Sequence, residues 1–124
     1  MTKKYIEIRK SNIPNAGMGA FAKENISKGK KLGHYAGKIL TKEQYKKLPD
    51  KDYVFELILP QGKLFIDAKN NGNWTRYVNG AKTKEQKKYI NVDAKQIGFN
   101  IYYIAIKNIK AGDELIIDYG TDYW

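Results

Sequence analysis

Apolar and polar residues alternate from Tyr5 to Arg9, which predicts an opening strand. Asn12 to Gly17, with Pro14 inside it, predicts a turn, and Met18 to Lys23 a short strand. Ser27-Lys28-Gly29 turns the chain again, and Lys31 to Leu40 reads as strand interrupted at Gly33 and Gly37. Thr41 to Gln44 has the form of a capping box, so a short helix is expected from there to about Leu48, stopped near Pro49. Tyr53 to Leu59 and Lys63 to Asp67 predict a hairpin around Pro60-Gln61-Gly62, and Asn70 to Gly72 a loop. Thr83 to Lys88 reads as a charged connector. Strand character returns over Tyr89 to Ala94, Phe99 to Lys107 and, after the Ala111-Gly112 turn, Glu114 to Ile117. Many short strands and one small helix predict a mostly β domain of several small sheets. No repeat, linker or low-complexity segment divides the 124 residues, which read as one domain, 1–124.

Composition narrows the chemistry. Hydrophobic residues make up 42% of the chain, which excludes global disorder. There is no apolar run of membrane-spanning length, and Met1 to Lys4 does not open an apolar leader, so a soluble intracellular protein is expected. The absence of cysteine removes disulfides, thiolate zinc sites and cysteine nucleophiles. His34 is the single histidine, so no multi-histidine metal site can form, and a surface strand position is expected for it. The net charge of +10 is carried almost wholly by lysine, with arginine only at Arg9 and Arg76. Such a surface either keeps the protein soluble or attracts DNA and nucleosomes nonspecifically. Reading of base edges would ask for more of the planar arginine forks.

Three segments carry candidate chemistry. In Gly17-Met18-Gly19, two glycines let a ligand approach the main chain, though an isolated G-x-G also serves as an ordinary turn. Asn73-Trp74-Thr75-Arg76-Tyr77-Val78-Asn79-Gly80-Ala81 ends in an Asn-Gly pair that by itself favours a tight turn. Gly112-Asp113-Glu114-Leu115-Ile116-Ile117-Asp118-Tyr119-Gly120 closes on a tyrosine. In this order and spacing, the three resemble the SET-domain protein lysine methyltransferases, nearest to the PR/SET branch and to minimal viral SET proteins. The resemblance covers nearly the whole chain.

The resemblance implies a SET-domain (β-clip-like) fold whose C-terminal segment threads under a loop as a pseudoknot. It implies S-adenosylmethionine as cofactor, with Gly17, Met18, Gly19, Arg76, Asn79 and Gly80 at its site and Trp124 over the adenine. A frayed terminus is the competing reading of Trp124. Tyr119 matches the family's catalytic tyrosine, and Tyr53 and Tyr103 match tyrosines of the lysine channel. Packing in the core is the alternative for those two, since aromatics favour strands. Most relatives have Asn-His-Ser where this chain has Asn79-Gly80-Ala81. Ile117 replaces a larger ring found in many relatives, which leaves the degree of methylation open. Glu114 is structural by the same resemblance.

The function implied is protein-lysine N-methyltransferase acting on an extended peptide, histone tails first, with nuclear or chromatin location in that case. Asp50, Asp52 and Glu56 form a candidate acidic patch for a basic tail. Two alternatives stay open: a catalytically silent SET/PR-like interaction module, favoured by Gly80, and a basic nucleic-acid-binding β domain. Dimerisation to complete a substrate groove is possible, though no segment requires it.

Overall fold

The computed structural model describes residues 5–118, apart from Asp52 and Asn71. The calls on Tyr119 and Trp124, and on the threading of the segment beyond Asp118, therefore lie outside the described residues. Strands β1 (Ile6–Lys10) and β2 (Met18–Ala22) pair antiparallel, Ile6 opposite Ala22 and Lys10 opposite Met18. Asn15 (φ 65°) and Gly17 (φ 72°) turn the chain between them through the left-handed region, which Asn and Gly enter at least cost.

Next come β3 (Lys31–His34) and β4 (Lys38–Leu40): the run breaks at 35–37, beside Gly37 as expected, whereas Gly33 stays inside β3 at a register shift against β9. Helix α1 (Lys42–Lys46) starts on the capping box: Thr41 Oγ1 accepts from the Gln44 amide, and Gln44 Oε1 accepts from the Thr41 amide. It ends two residues short of Leu48, because the residue before a proline is pushed out of the helical region. Strands β5 (Val54–Leu59) and β6 (Gly62–Asp67) form the hairpin, and β6 takes β4 on its other side.

The remaining strands are β7 (Asn79–Gly80), β8 (Val92–Ile97), β9 (Asn100–Ala105) and β10 (Ile116–Ile117). They join β3 in a five-stranded sheet of order β3-β9-β8-β10-β7. β10 lies parallel between β7 and β8, so Ile116 and Ile117 enter between strands laid down earlier. The main core gathers Ile6, Leu32, Leu57, Val92, Leu115 and Ile117, and a smaller cluster joins Leu40, Val54 and Phe65 under Tyr45.

Two local expectations are corrected, and one segment is added. Asn79-Gly80 is strand rather than a tight turn, since pairing with β10 overrides the dipeptide's turn preference. Tyr89 is exposed at the end of a 3-10 turn (Gln86–Tyr89), and the strand begins three residues later, at Val92. Thr83 Oγ1 and the Gln86 side chain hold that turn together. Trp74 to Tyr77, left unassigned by pattern, is another 3-10 turn, capped by the Asn73 side chain.

Tyr5 anchors the first strand by donating its hydroxyl to the Leu32 carbonyl at 2.7 Å. Burial, and secondarily Glu24, raise its pKa above the ordinary 10.0. The folded protein then holds a proton that the unfolded chain has lost, so this contribution to stability is complete below pH 10 and declines as pH rises through the folded value. A Tyr5→Phe variant should show a shallower loss of melting temperature in that alkaline range than the parent.

Candidate active site

Two arrangements stand out, one polar and one aromatic. The polar one centres on Glu114, whose side chain is 8% exposed. Its carboxylate accepts from Ser11 Oγ (2.7 Å), the Asn12 amide (2.9 Å) and Asn79 Nδ2 (3.2 Å). Asn79 Nδ2 also donates to the Met18 carbonyl at 3.0 Å. The Gly17–Gly19 segment, β7 and the strand leading into β10 are thus tied together by one amide and one carboxylate. Gly19 is required for this: a Cβ there would collide with Glu114 Oε2 and stand 3.2 Å from Ser11 Cβ. With both N–H groups of Asn79 used inside the fold, what its side chain can offer a ligand is the carbonyl Oδ1. Gly17 is open, with no atom within 4 Å of where a Cβ would lie.

The register of β7 and β10 extends the arrangement. Asn79 pairs with Ile116 and Gly80 with Ile117, and the Ala81 amide donates to the Ile117 carbonyl. Asn91 pins the other edge, giving Nδ2 to the Glu114 carbonyl and accepting the Ile116 amide at Oδ1. A cavity of about 550 Å³ adjoins Glu114 and is lined also by Asn12, Ile13, Tyr89, Asn91 and Ile116. It shares Asn12, Glu114 and Ile116 with the Asn79 network, so it opens against one side of that network.

The aromatic arrangement is built on Tyr35. Its hydroxyl donates to the Tyr53 carbonyl at 2.6 Å, its ring stacks on Tyr103 at 5.8 Å, and Phe55 meets it edge-on at 4.6 Å. Tyr103 is wholly buried, and Tyr53 is half-buried on the cluster's edge. Arg76 closes this end, its guanidinium 4.5 Å above the Tyr77 ring and 5.6 Å from that of Tyr53, while donating to the Tyr77 hydroxyl at 2.8 Å. The indole N–H of Trp74 is buried with no hydrogen-bond partner among the described residues, and the ring packs on Gly33.

Of the residues singled out by sequence, Gly17, Met18, Gly19, Asn79 and Gly80 converge on the polar arrangement, and Tyr53 and Tyr103 on the aromatic one. Arg76 separates from the first group: its guanidinium is engaged by Tyr77 and Tyr53, not by Met18 or Asn79. His34 is exposed at the end of β3, as expected. In the acidic patch, Asp50 pairs with Lys69 at 2.9 Å and Glu56 with Lys63 at 3.0 Å, and Asp52 lies outside the described residues. Both pairs are at least partly solvated and worth at most about 1 kcal/mol, so an incoming cation can replace the lysine. Sequence reasoning missed Tyr35 and Ser11. Nothing in the local pattern marks either one, because their partners lie 18 and 103 residues away.

Comparison with known proteins fits this geometry. Residues 6–124 match the family model described as the PR domain of PR domain zinc finger protein 2. The chain is 35% identical over 108 residues to PR domain zinc finger protein 14 of Mus musculus, covering 85% of this chain and 18% of that protein. It is 31% identical to histone-lysine N-methyltransferase set-17 of Caenorhabditis elegans, over 94% of this chain and 41% of that one. Among solved structures, the methyltransferase domain of human PR domain-containing protein 2 superimposes with a TM-score of 0.79 at 31% identity, covering 98% of this chain and 81% of that chain. The chain therefore spans well under two-thirds of the full-length relatives it matches. It belongs to the PR-domain branch of the SET-domain methyltransferase family.

Proposed function

We propose that this domain is an S-adenosylmethionine-dependent protein-lysine N-methyltransferase that acts on a histone tail. The observation that carries the reading is the bond from Asn79 to the Met18 carbonyl, made beside the β7–β10 pair. It joins the two segments that the family uses for its cofactor. The residues fit that group: Gly17 leaves the main chain accessible, and Asn79 Oδ1 is an acceptor suited to an ammonium. Met18, Gly80 and Trp124 complete the proposed site, whereas Arg76 lies against Tyr77 and Tyr53.

When bound, S-adenosylmethionine supplies an electrophilic methyl group on a sulfonium. The chain's own task is to present a neutral lysine amine in line with that methyl and to exclude water. A desolvated aromatic channel favours the neutral amine. Tyr53 and Tyr119 suit its walls, with rings to pack on the lysine stem and hydroxyls to orient the nitrogen. Tyr103 braces the wall from within the core through Tyr35. The amine's proton leaves to solvent before transfer, so no general base is needed. Relatives named histone-lysine N-methyltransferases support histone as the substrate class.

Calorimetric titration with S-adenosylmethionine tests the cofactor site. The parent should bind saturably, and Asn79→Ala should weaken binding by at least about 30-fold, about 2 kcal/mol for a lost charge-assisted bond. Equal binding by both would remove Asn79 from the site. The interaction-module reading keeps one specific observation, Gly80 in place of the usual His. Cofactor binding without transfer to any core histone would favour it.

A further inference from the structure

We propose that the lysine-rich rim at the C-terminal end of β9 is a docking surface for duplex DNA. Three connectors meet there. The Ala105 amide donates to the Lys30 carbonyl, and the Gly29 amide to the Ala105 carbonyl. Ile26 and Ile109 exchange both backbone bonds, and Asn108 Oδ1 accepts the Lys28 amide at 2.9 Å. The Ile106 amide donates to the Asn91 carbonyl, which brings the 82–89 connector against the same edge, and Gln86, Tyr89 and Lys107 line one cavity.

Segments 27–31, 82–89 and 105–110 hold nine of the 23 basic residues: Lys28, Lys30, Lys31, Lys82, Lys84, Lys87, Lys88, Lys107 and Lys110. They hold one of the 13 acidic residues, Glu85, so most of the +10 net charge originates on this rim. All nine lysines are exposed. Glu85 is paired with Lys88, and the neighbouring Asp113 accepts the Lys110 amide, its carboxylate turned to the backbone. Glu24 lies near Tyr5, and Asp93 stands opposite Ile104 in the β8–β9 register, next to Ala105.

The chemistry selects the partner. A run of lysines without arginine grips phosphates and reads no bases. Both arginines are engaged elsewhere, Arg9 with Glu7 and the Phe21 ring, Arg76 with Tyr77. Single-stranded nucleic acid would ask for a platform of exposed aromatics. The rim offers only Tyr89 fully to solvent, since Lys31 lies over Tyr102 and Lys30 over Tyr5. An anionic membrane would ask for an amphipathic helix, and the α-helix among the described residues is five residues long and lies elsewhere. Through Gln86, Tyr89 and Lys107 the rim borders the cavity beside Glu114, but the inference does not depend on methyl transfer.

The test is fluorescence anisotropy of a labelled mixed-sequence DNA duplex over a salt series. A variant carrying Lys84→Glu, Lys87→Glu, Lys107→Glu and Lys110→Glu is compared with one of equal net charge carrying Lys38→Glu, Lys42→Glu, Lys46→Glu and Lys47→Glu. The rim variant should lose at least tenfold in affinity at about 0.1 M salt, and its log-log salt slope should flatten by about 3. The control set should lose less than about threefold. Lysine-to-glutamine versions of both sets repeat the comparison if either quadruple variant melts early. Equal losses in both sets, no binding by the parent, or tighter binding to a matched RNA duplex or anionic vesicles would each overturn the proposal.

Discussion

Alanine at Gly37 should leave little folded protein. A Cβ there would strike the Asp67 carbonyl oxygen, lying 2.6 Å from its carbon and 2.9 Å from the Ala68 nitrogen. These are backbone atoms of β6 and its exit, and they cannot swing away as a side chain can. Overpacking against a movable neighbour costs about 1–3 kcal/mol, so a clash with fixed backbone should exceed about 4 kcal/mol. That approaches the whole stability of a small domain. The contact also sets the aromatic cluster, because the Ala68 amide and the Tyr35 hydroxyl both donate to the Tyr53 carbonyl. Separating the β3–β4 connector from β6 parts Tyr35 from Tyr53. Gly17→Ala is the contrast: it meets no atom within 4 Å, and its φ of +72° should cost only about 1–2 kcal/mol. Urea denaturation followed by circular dichroism distinguishes the two.

Glu114→Ala should be nearly as severe and should reach the cofactor. Ser11 Oγ, the Asn12 amide and Asn79 Nδ2 would lose their shared acceptor at once. Leaving buried donors unpaired costs about 1–3 kcal/mol each, less where water can enter, so a loss of about 3–5 kcal/mol is expected. Asn79 would keep only its bond to Met18, and affinity for S-adenosylmethionine should fall more than about tenfold in whatever protein remains folded. Glu114→Gln should lie between parent and alanine in both readings, because its amide can still accept but must also turn donors toward donors. Unchanged affinity in a folded Glu114→Ala protein would mean that the carboxylate does not position Asn79.

Much of the fold was legible because its signals are local. The β5–β6 hairpin, the Thr41–Gln44 capping box and the break of Lys31–Leu40 beside Gly37 all depend on neighbours in sequence. The errors fall where distant pairing overrides local preference. Asn79-Gly80 would turn if alone, but β10 recruits it into the sheet from 37 residues away. Tyr89 has strand chemistry, yet the 3-10 turn held by Thr83 and Gln86 delays the strand to Val92. At the site, motifs supplied Met18, Asn79 and Tyr53, whereas Tyr35 and Ser11 act through partners that only the folded chain brings near. The acidic patch is a related case: composition showed Asp50 and Glu56 but not the lysines that pair with them.

Methyl transfer to lysine is the step that decides the proposed function. Its most direct test is mass spectrometry of core histones incubated with the protein and S-adenosylmethionine, beside Asn79→Ala and Tyr119→Phe. The account predicts mass increments of whole methyl groups on a histone lysine with the parent. Asn79→Ala should lose them together with cofactor binding, and Tyr119→Phe should lose them while still binding the cofactor. A folded parent that binds the cofactor but adds no methyl group to any histone would contradict the account.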